Sequence, residues 1–218
     1  MECNMSNNAN GAPFVVPPYV NNPYTGNAWT SSSVSLFQSG KSINFSVNTP
    51  DIVGGIWLSG GLSTPLTLIA HVSANLMGLI SGVPNTVPAP DSDTLFGLMV
   101  YNSGSMESLC VGNSNTAGTA VGQWQHITGS IGGAPTIVAQ STLSTQPWQS
   151  ATWLMLRYDG TYTYFSIGDE SGKNFQEIQV TAGGGVTHIG VCGFYETAGL
   201  TTTATLNVSV DSCIVYPY

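Results

Sequence analysis

TWLMLRYDGTYTYFSIGDESGKNFQEI, residues 152–178, carries two of the chain's three Lys or Arg residues, Arg157 and Lys173. Asp159-Gly160 stands between two runs of β-formers, the preferred sequence of a two-residue type I′ hairpin, in which both central residues take positive φ. A turn at Asp159 and Gly160 puts Tyr158 opposite Thr161, Arg157 opposite Tyr162, Met155 opposite Tyr164 and Trp153 opposite Ser166. Successive side chains point to opposite sides of a strand. Leu154, Leu156, Thr163 and Phe165 therefore share one face, and Trp153, Met155, Arg157, Tyr162 and Tyr164 share the other. Neither face is made for water alone. Such a hairpin belongs inside a sheet, with a core beneath it and a covering or a ligand on the other side.

Composition extends this reading to the whole chain. Only 6% of the 218 residues are charged, while 26 are Gly and 12 are Pro. No amphipathic helical stripe stands out. Strand-like segments follow at short intervals instead, at 33–37, 42–47, 55–58, 66–73, 95–101, 108–111, 123–131, 136–141, 153–158, 161–167, 175–181, 187–195 and 203–216. That is more than one sheet comfortably holds, so we expect an all-β, two-sheet antiparallel sandwich over residues 31–218, with polar loops at 84–93 and 111–118. Residues 1–30 are Asn- and Pro-rich and read as an extended arm, since each Pro removes a backbone donor and restricts its neighbour. The arm's aromatics, Phe14, Tyr19, Tyr24 and Trp29, are too apolar for a solvated tail and make it a docking or assembly element.

Eleven acids against three bases give a net charge of −8. A field of that sign opposes nucleic acid and anionic membranes, and no apolar run approaches the length of a bilayer span. The start MECNMSNNANGAPFVVPPYV lacks the basic and apolar regions of a secretory leader, which points to synthesis in a cytoplasm. Cys3, Cys110, Cys192 and Cys213 contain no C-x-x-C pair, and buried thiols are the favoured reading over a Cys192–Cys213 bridge.

The order of FGLMVYNSGS (96–105), W-L-x-L-R-x-D-G, Y-T-Y-F-S, the acidic turn GDESGKNF (168–175), HIGVCGFYE (188–196) and the closing strand ATLNVSVDSCIVY (204–216) resembles the concanavalin A-like jelly rolls. It is most similar to their laminin-G, pentraxin and DUF1349-type branch, although Phe175 stands where that branch usually has Trp. The resemblance implies a sandwich that often binds carbohydrate, sometimes with calcium, and in some branches hydrolyses glycans.

Each implication can be weighed on residues. Hydrolysis on such a fold needs two carboxylates held at set positions over one cleft. No strand carries alternating acids, and Asp169 and Glu170 are adjacent in a turn, so we expect no enzyme. His71, His126 and His188 all fall in strand segments, the usual place for a hydrogen-bonded structural histidine. Asp91 and Asp93 are weak calcium candidates, and their plainer role is to cap a turn; no cofactor is expected. Sugar rings stack on flat aromatic faces, which singles out Trp124, Trp148, Tyr162, Tyr164 and Tyr195, with Arg157 beside them as a cation over a ring or a ligand contact. A charge-poor, aromatic, β-rich exterior suits close packing, because burying charge at an interface costs desolvation. Composition and resemblance together predict a virion-associated protein: a phage capsid decoration or head-fibre protein, or a tail receptor-binding module, displayed on the virion surface. Its partners would be other virion proteins, copies of itself and host-surface glycans. The alternative is a free carbohydrate-binding module or lectin, with a glycoside hydrolase third.

Overall fold

The computed structural model describes residues 14–15, 28–39, 42–59, 65–77, 79–80, 83–84, 92–102, 105–116, 119–144, 152–168, 174–181, 186–196 and 205–217. Among them, all regular structure is strand. In chain order the strands are β1 (Phe14–Val15), β2 (Ala28–Ser32), β3 (Val34–Ser39), β4 (Ser42–Val47), β5 (Gly54–Ser59), β6 (Leu66–Met77), β7 (Leu79–Ile80), β8 (Val83–Pro84) and β9 (Ser92–Asn102). They continue as β10 (Ser105–Thr116), β11 (Thr119–Gly129), β12 (Thr136–Ser144), β13 (Thr152–Tyr158), β14 (Tyr162–Gly168), β15 (Asn174–Thr181), β16 (Val186–Tyr195) and β17 (Thr205–Pro217). Every segment expected from the sequence overlaps a strand.

Two antiparallel sheets are built from them. The larger has eight strands in the order β1-β2-β5-β16-β9-β10-β11-β12, and the other has seven, β15-β14-β13-β6-β17-β4-β3. β7 and β8 form a separate small pair. The closing strand β17 inserts between β6 and β4, so the sheet is completed only by the last residues of the chain. Alternate residues of the two inner faces form one core: Leu66, Leu68, Ala70 and Val72 from β6, Leu154 and Leu156 from β13, Phe165 and Ile167 from β14, and Phe96, Leu98 and Val100 from β9. Burial of this apolar surface drives the two sheets together.

The opening hairpin keeps its faces and changes its register. Leu156 pairs with Phe165, Arg157 with Tyr164 and Tyr158 with Thr163, two residues away from the expected pairing. An even shift leaves each side chain on its expected side, and β13 lies between β14 and β6, inside the sheet. The shift has a local cause. Asp159 Oδ1 accepts the backbone N–H groups of Thr161 and Tyr162, both at 2.8 Å, and Asp159 N–H donates to the Tyr162 carbonyl at 3.1 Å. Asp159 thus ends the strand as a cap and the loop becomes Gly160-Thr161, with positive φ, 101°, at Gly160 alone. Glycine first in a two-residue loop is the II′ arrangement in place of the expected I′. The two amides hold the Asp159 carboxyl below its ordinary range.

Two further expectations are corrected. Residues 111–116, expected in a polar loop, belong to β10, since β10 and β11 pair as far as Thr116 and Thr119. Their polar residues form ladder bonds that composition alone does not reveal. Likewise Ser92 and Asp93, placed in a loop by their Pro-rich neighbours, begin β9.

Cys192 is an unbridged thiol. Cys110 and Cys192 flank Gly97 from opposite sides in the ladder, and their sulfurs meet at 3.9 Å across the space a side chain would fill. Ser108 Oγ lies 3.1 Å from one and 3.2 Å from the other. These thiols lie on the outer face of the eight-stranded sheet, within a second buried cluster that includes Val53, Leu95, Met99, Met106, Ile127 and Phe194.

β12 behaves differently from every other strand with described side chains. It ends the larger sheet and is exposed on both sides from Thr136 to Thr142, with Ile137 43% and Val138 56% exposed.

Candidate functional site

Two rows of side chains on the outer face of the eight-stranded sheet define the candidate site. In the first row His188 and Tyr101 stand side by side on β16 and β9; in the second, Trp57, Gly190 and Met99 do so on β5, β16 and β9. Gly190 leaves its row hollow in the middle. A Cβ there would lie 2.8 Å from the Trp57 Cβ and 2.7 Å from its Cα. Glycine in a strand interior commonly marks a place where something else approaches the backbone. Trp57 and Met99 become the walls of a cavity of about 310 Å³, His188 and Tyr101 close one end, and Ile131 overhangs it.

Ile131 is held there by the loop between β11 and β12. Gly132 N–H donates to the Val53 carbonyl at 2.8 Å, and Val53 N–H donates to the Gly133 carbonyl at 3.0 Å. Gly132 takes φ +80°, which a residue with a side chain adopts only with strain. The rings are arranged edge to face. His188 meets Trp57 with centroids 6.3 Å apart at 77°, and Tyr101 with centroids 5.6 Å apart at 83°. Burial holds the His188 imidazole below its ordinary pKa, so the ring is neutral at neutral pH.

An acidic group occupies the opposite end of the same face. Asp93 is buried, accepting from Gln123 Nε2 at 3.1 Å and from Gln125 Nε2 at 2.5 Å. Glu196, half-buried beside it, donates its backbone N–H to the Asp93 carbonyl at 2.8 Å. Burial raises the Glu196 pKa, and the neighbouring charges of Asp93 and Asp51 add to the effect. Both oxygens of Asp93 accept from side-chain amides, and Asp91, the other carboxylate weighed for calcium, lies outside the described residues. Among the described residues no group of three or more His, Cys, Asp or Glu is arranged to hold a metal.

The residues singled out by sequence are dispersed. Trp124 turns inward and packs on the sandwich core, and Tyr195 is buried within it, 1% exposed. Burial leaves Tyr195 no ring face for a ligand. Arg157, Tyr162 and Tyr164 do come together, on the outer face of the seven-stranded sheet. There the guanidinium carbon lies 4.2 Å from the Tyr164 ring centroid, and the two tyrosines meet edge to face at 6.5 Å. Phe14 and Trp29 are partners in the β1–β2 pair at the edge of the eight-stranded sheet. Tyr19, Tyr24, Asp91, Trp148, Asp169 and Glu170 lie outside the described residues. The histidines occupy three separate settings: His71 against Trp153 at 4.7 Å, His126 with Glu107 at 2.8 Å, and His188 in the cavity. Sequence reasoning missed Trp57 and Tyr101 and read His188 as a structural histidine; their three strands are far apart in the chain.

No family model and no curated protein matches the sequence. Solved structures do match. The CBM2 module of the evolved Dit of Lactobacillus casei BL23 phage J-1 superposes with a TM-score of 0.52 at 10% identity, covering 100% of this chain and 96% of that one. The legume lectin-like domain from Entamoeba histolytica gives 0.51 at 8% identity, over 87% and 90%. The Ca²⁺-bound VIP36 exoplasmic/lumenal domain gives 0.51 at 13% identity, over 87% and 83%. The fold is the concanavalin A-like jelly roll.

Proposed function

We propose that the chain is a carbohydrate-recognition domain, with its ligand seated between Trp57, Tyr101 and His188, and that it serves on the surface of a virus or phage particle. The cavity carries the first half of this reading. Its volume lies at the lower end of the range for small-molecule sites, and its lining combines apolar walls with few polar groups, as sugar recognition requires. The indole and phenol rings offer flat faces for the C–H side of a pyranose. The fold shared with lectin-like and carbohydrate-binding domains supports it.

The particle half draws its support from composition, from the phage Dit module among the structural neighbours, and from β12. The stretch APTIVAQSTLS (134–144) contains no charge and forms the sheet's edge among the described residues, the feature by which sheets of separate chains join. Two copies could meet there about a two-fold axis without like charges opposing each other.

A glycan array probed with the whole chain tests recognition, with Trp57→Ala as control. Binding that falls at least about tenfold in the variant is expected, given what a stacked aromatic contributes. A silent array refutes the recognition reading. Sedimentation of the chain and of Val138→Lys tests assembly. A wild-type chain that stays monomeric at high concentration while binding glycans favours the free lectin over the particle protein.

A further inference from the structure

A bulge in β16 determines which hydrogen-bonding group His188 presents to the cavity. In the ladder with β9, Val186 pairs with Asn102 and His188 pairs with Tyr101, so Thr187 is the extra residue on its strand. The bulge carries the Thr187 hydroxyl within reach of two partners at once. It donates to the Tyr101 carbonyl at 3.1 Å and stands 2.9 Å from His188 Nδ1.

A hydroxyl has one proton. The carbonyl can only accept, so the two bonds form together only when that proton goes to Tyr101. Toward Nδ1 the Thr187 oxygen can then only accept, and the hydrogen of that second bond must be carried by the imidazole. A neutral imidazole with its proton on Nδ1 has a bare lone pair on Nε2. Among the described residues lining the cavity, the one other titratable group is the Tyr101 phenol, and Trp57, Met99 and Ile131 carry no charge.

We infer that His188 serves this cavity as a hydrogen-bond acceptor through Nε2, which selects an uncharged sugar that donates a hydroxyl proton there while its apolar ring face lies on the aromatic wall. The inference rests on the carbohydrate reading above and narrows it to a substrate class. Anionic sugars such as uronic and sialic acids are disfavoured on three counts. No cation lines the cavity among the described residues, and the chain carries a net charge of −8. The lone pair on Nε2 would also repel a carboxylate brought against it.

The experiment has a ligand-free arm and a ligand arm, both on the full chain. ¹⁵N NMR of the histidine side chains at neutral pH assigns the proton: Nδ1–H with bare Nε2 at His188 is expected, and an Nε2–H tautomer or an imidazolium overturns the inference. Thr187→Val removes the hydroxyl and should release the tautomer, while Thr187→Ser should keep it. The ligand arm titrates methyl glycosides of glucose, galactose, mannose and N-acetylglucosamine beside those of glucuronic and sialic acid. At least one neutral glycoside should bind, the acidic ones more weakly, and Thr187→Val should weaken the neutral one by roughly three- to tenfold through loss of the oriented hydrogen bond. An acidic glycoside that binds more tightly than every neutral one overturns the inference alone. The expected tautomer with no glycoside bound overturns the carbohydrate reading on which it rests.

Discussion

Replacing Gly190 by alanine adds one methyl group where the neighbouring strand leaves no room for it. The new Cβ would lie 2.0 Å from the Ile56 carbonyl oxygen, 2.7 Å from Trp57 Cα and 2.8 Å from Trp57 Cβ. Carbon atoms in good contact stand about 3.5–4.0 Å apart, so each of these is an overlap of the order of an ångström. Two of the three are backbone atoms, which no rotamer change can remove, and β5 must move away from β16. Over-packing of this kind costs about 1–3 kcal/mol, and the backbone clash puts Gly190→Ala at the upper end. For a chain of this length about 3 kcal/mol lowers Tm by roughly 6–12 °C. Thermal and urea unfolding followed by tryptophan fluorescence give the stability, and glycan titration of the folded variant gives the second readout, expected to fall because Trp57 moves with β5. A variant within about 0.5 kcal/mol of the parent would refute the packing argument, since surface-like tolerance is of that size. A clearly destabilised variant with unchanged glycan affinity would remove the hollow from the binding site.

Other predictions concern the core and the ionisable groups. Leu156→Ala, at a fully buried position between the sheets, should lose about 2–5 kcal/mol in urea unfolding without changing glycan affinity, and a loss below 1 kcal/mol would contradict the core assignment. Asp159 has a folded pKa below its unfolded value, so its contribution is present above the unfolded pKa and disappears as pH falls through the folded one. Amide exchange at Thr161 and Tyr162 should speed up over that acid range, and Asp159→Ala should show the fast exchange at every pH. Glu196 has the opposite sign, its folded pKa being raised, so protonation favours the fold at low pH and the charged group works against it at neutral pH. Glu196→Gln should therefore be more stable than the parent at pH 7, with the difference vanishing in acid; a destabilised variant at pH 7 would show that the carboxylate has a favourable partner.

The β-sandwich was legible because local signals agree with the tertiary outcome. Alternation in β13 sorted Leu154 and Leu156 from Trp153 and Arg157 before any partner was known, and the burial pattern of that strand follows it residue by residue. The register was less legible, because Asp159 could either enter the turn or cap it, and its two amide bonds decide in favour of capping. The site was nearly invisible. Trp57, Tyr101 and His188 meet only because β16 lies between β5 and β9, an order no local pattern encodes. The aromatics of the Asp-Gly hairpin drew attention by being close in sequence, and of the candidates elsewhere in the chain Trp124 and Tyr195 were taken up by the core. The signal that could have pointed to the cavity was small: Gly190 alone between Ile189 and Val191, a strand glycine with no turn to explain it.

The thiol pair over Gly97 bears on where such a chain can travel. Cys110 and Cys192 stand on strands two places apart, which puts their Cα atoms at about 9–10 Å, while a disulfide needs less than about 7 Å. Their sulfurs are neighbours that the backbone forbids from bonding. Passage from a reducing interior to aerated surroundings therefore leaves this part of the molecule as it was, with no cross-link to form on release and none to break on entry.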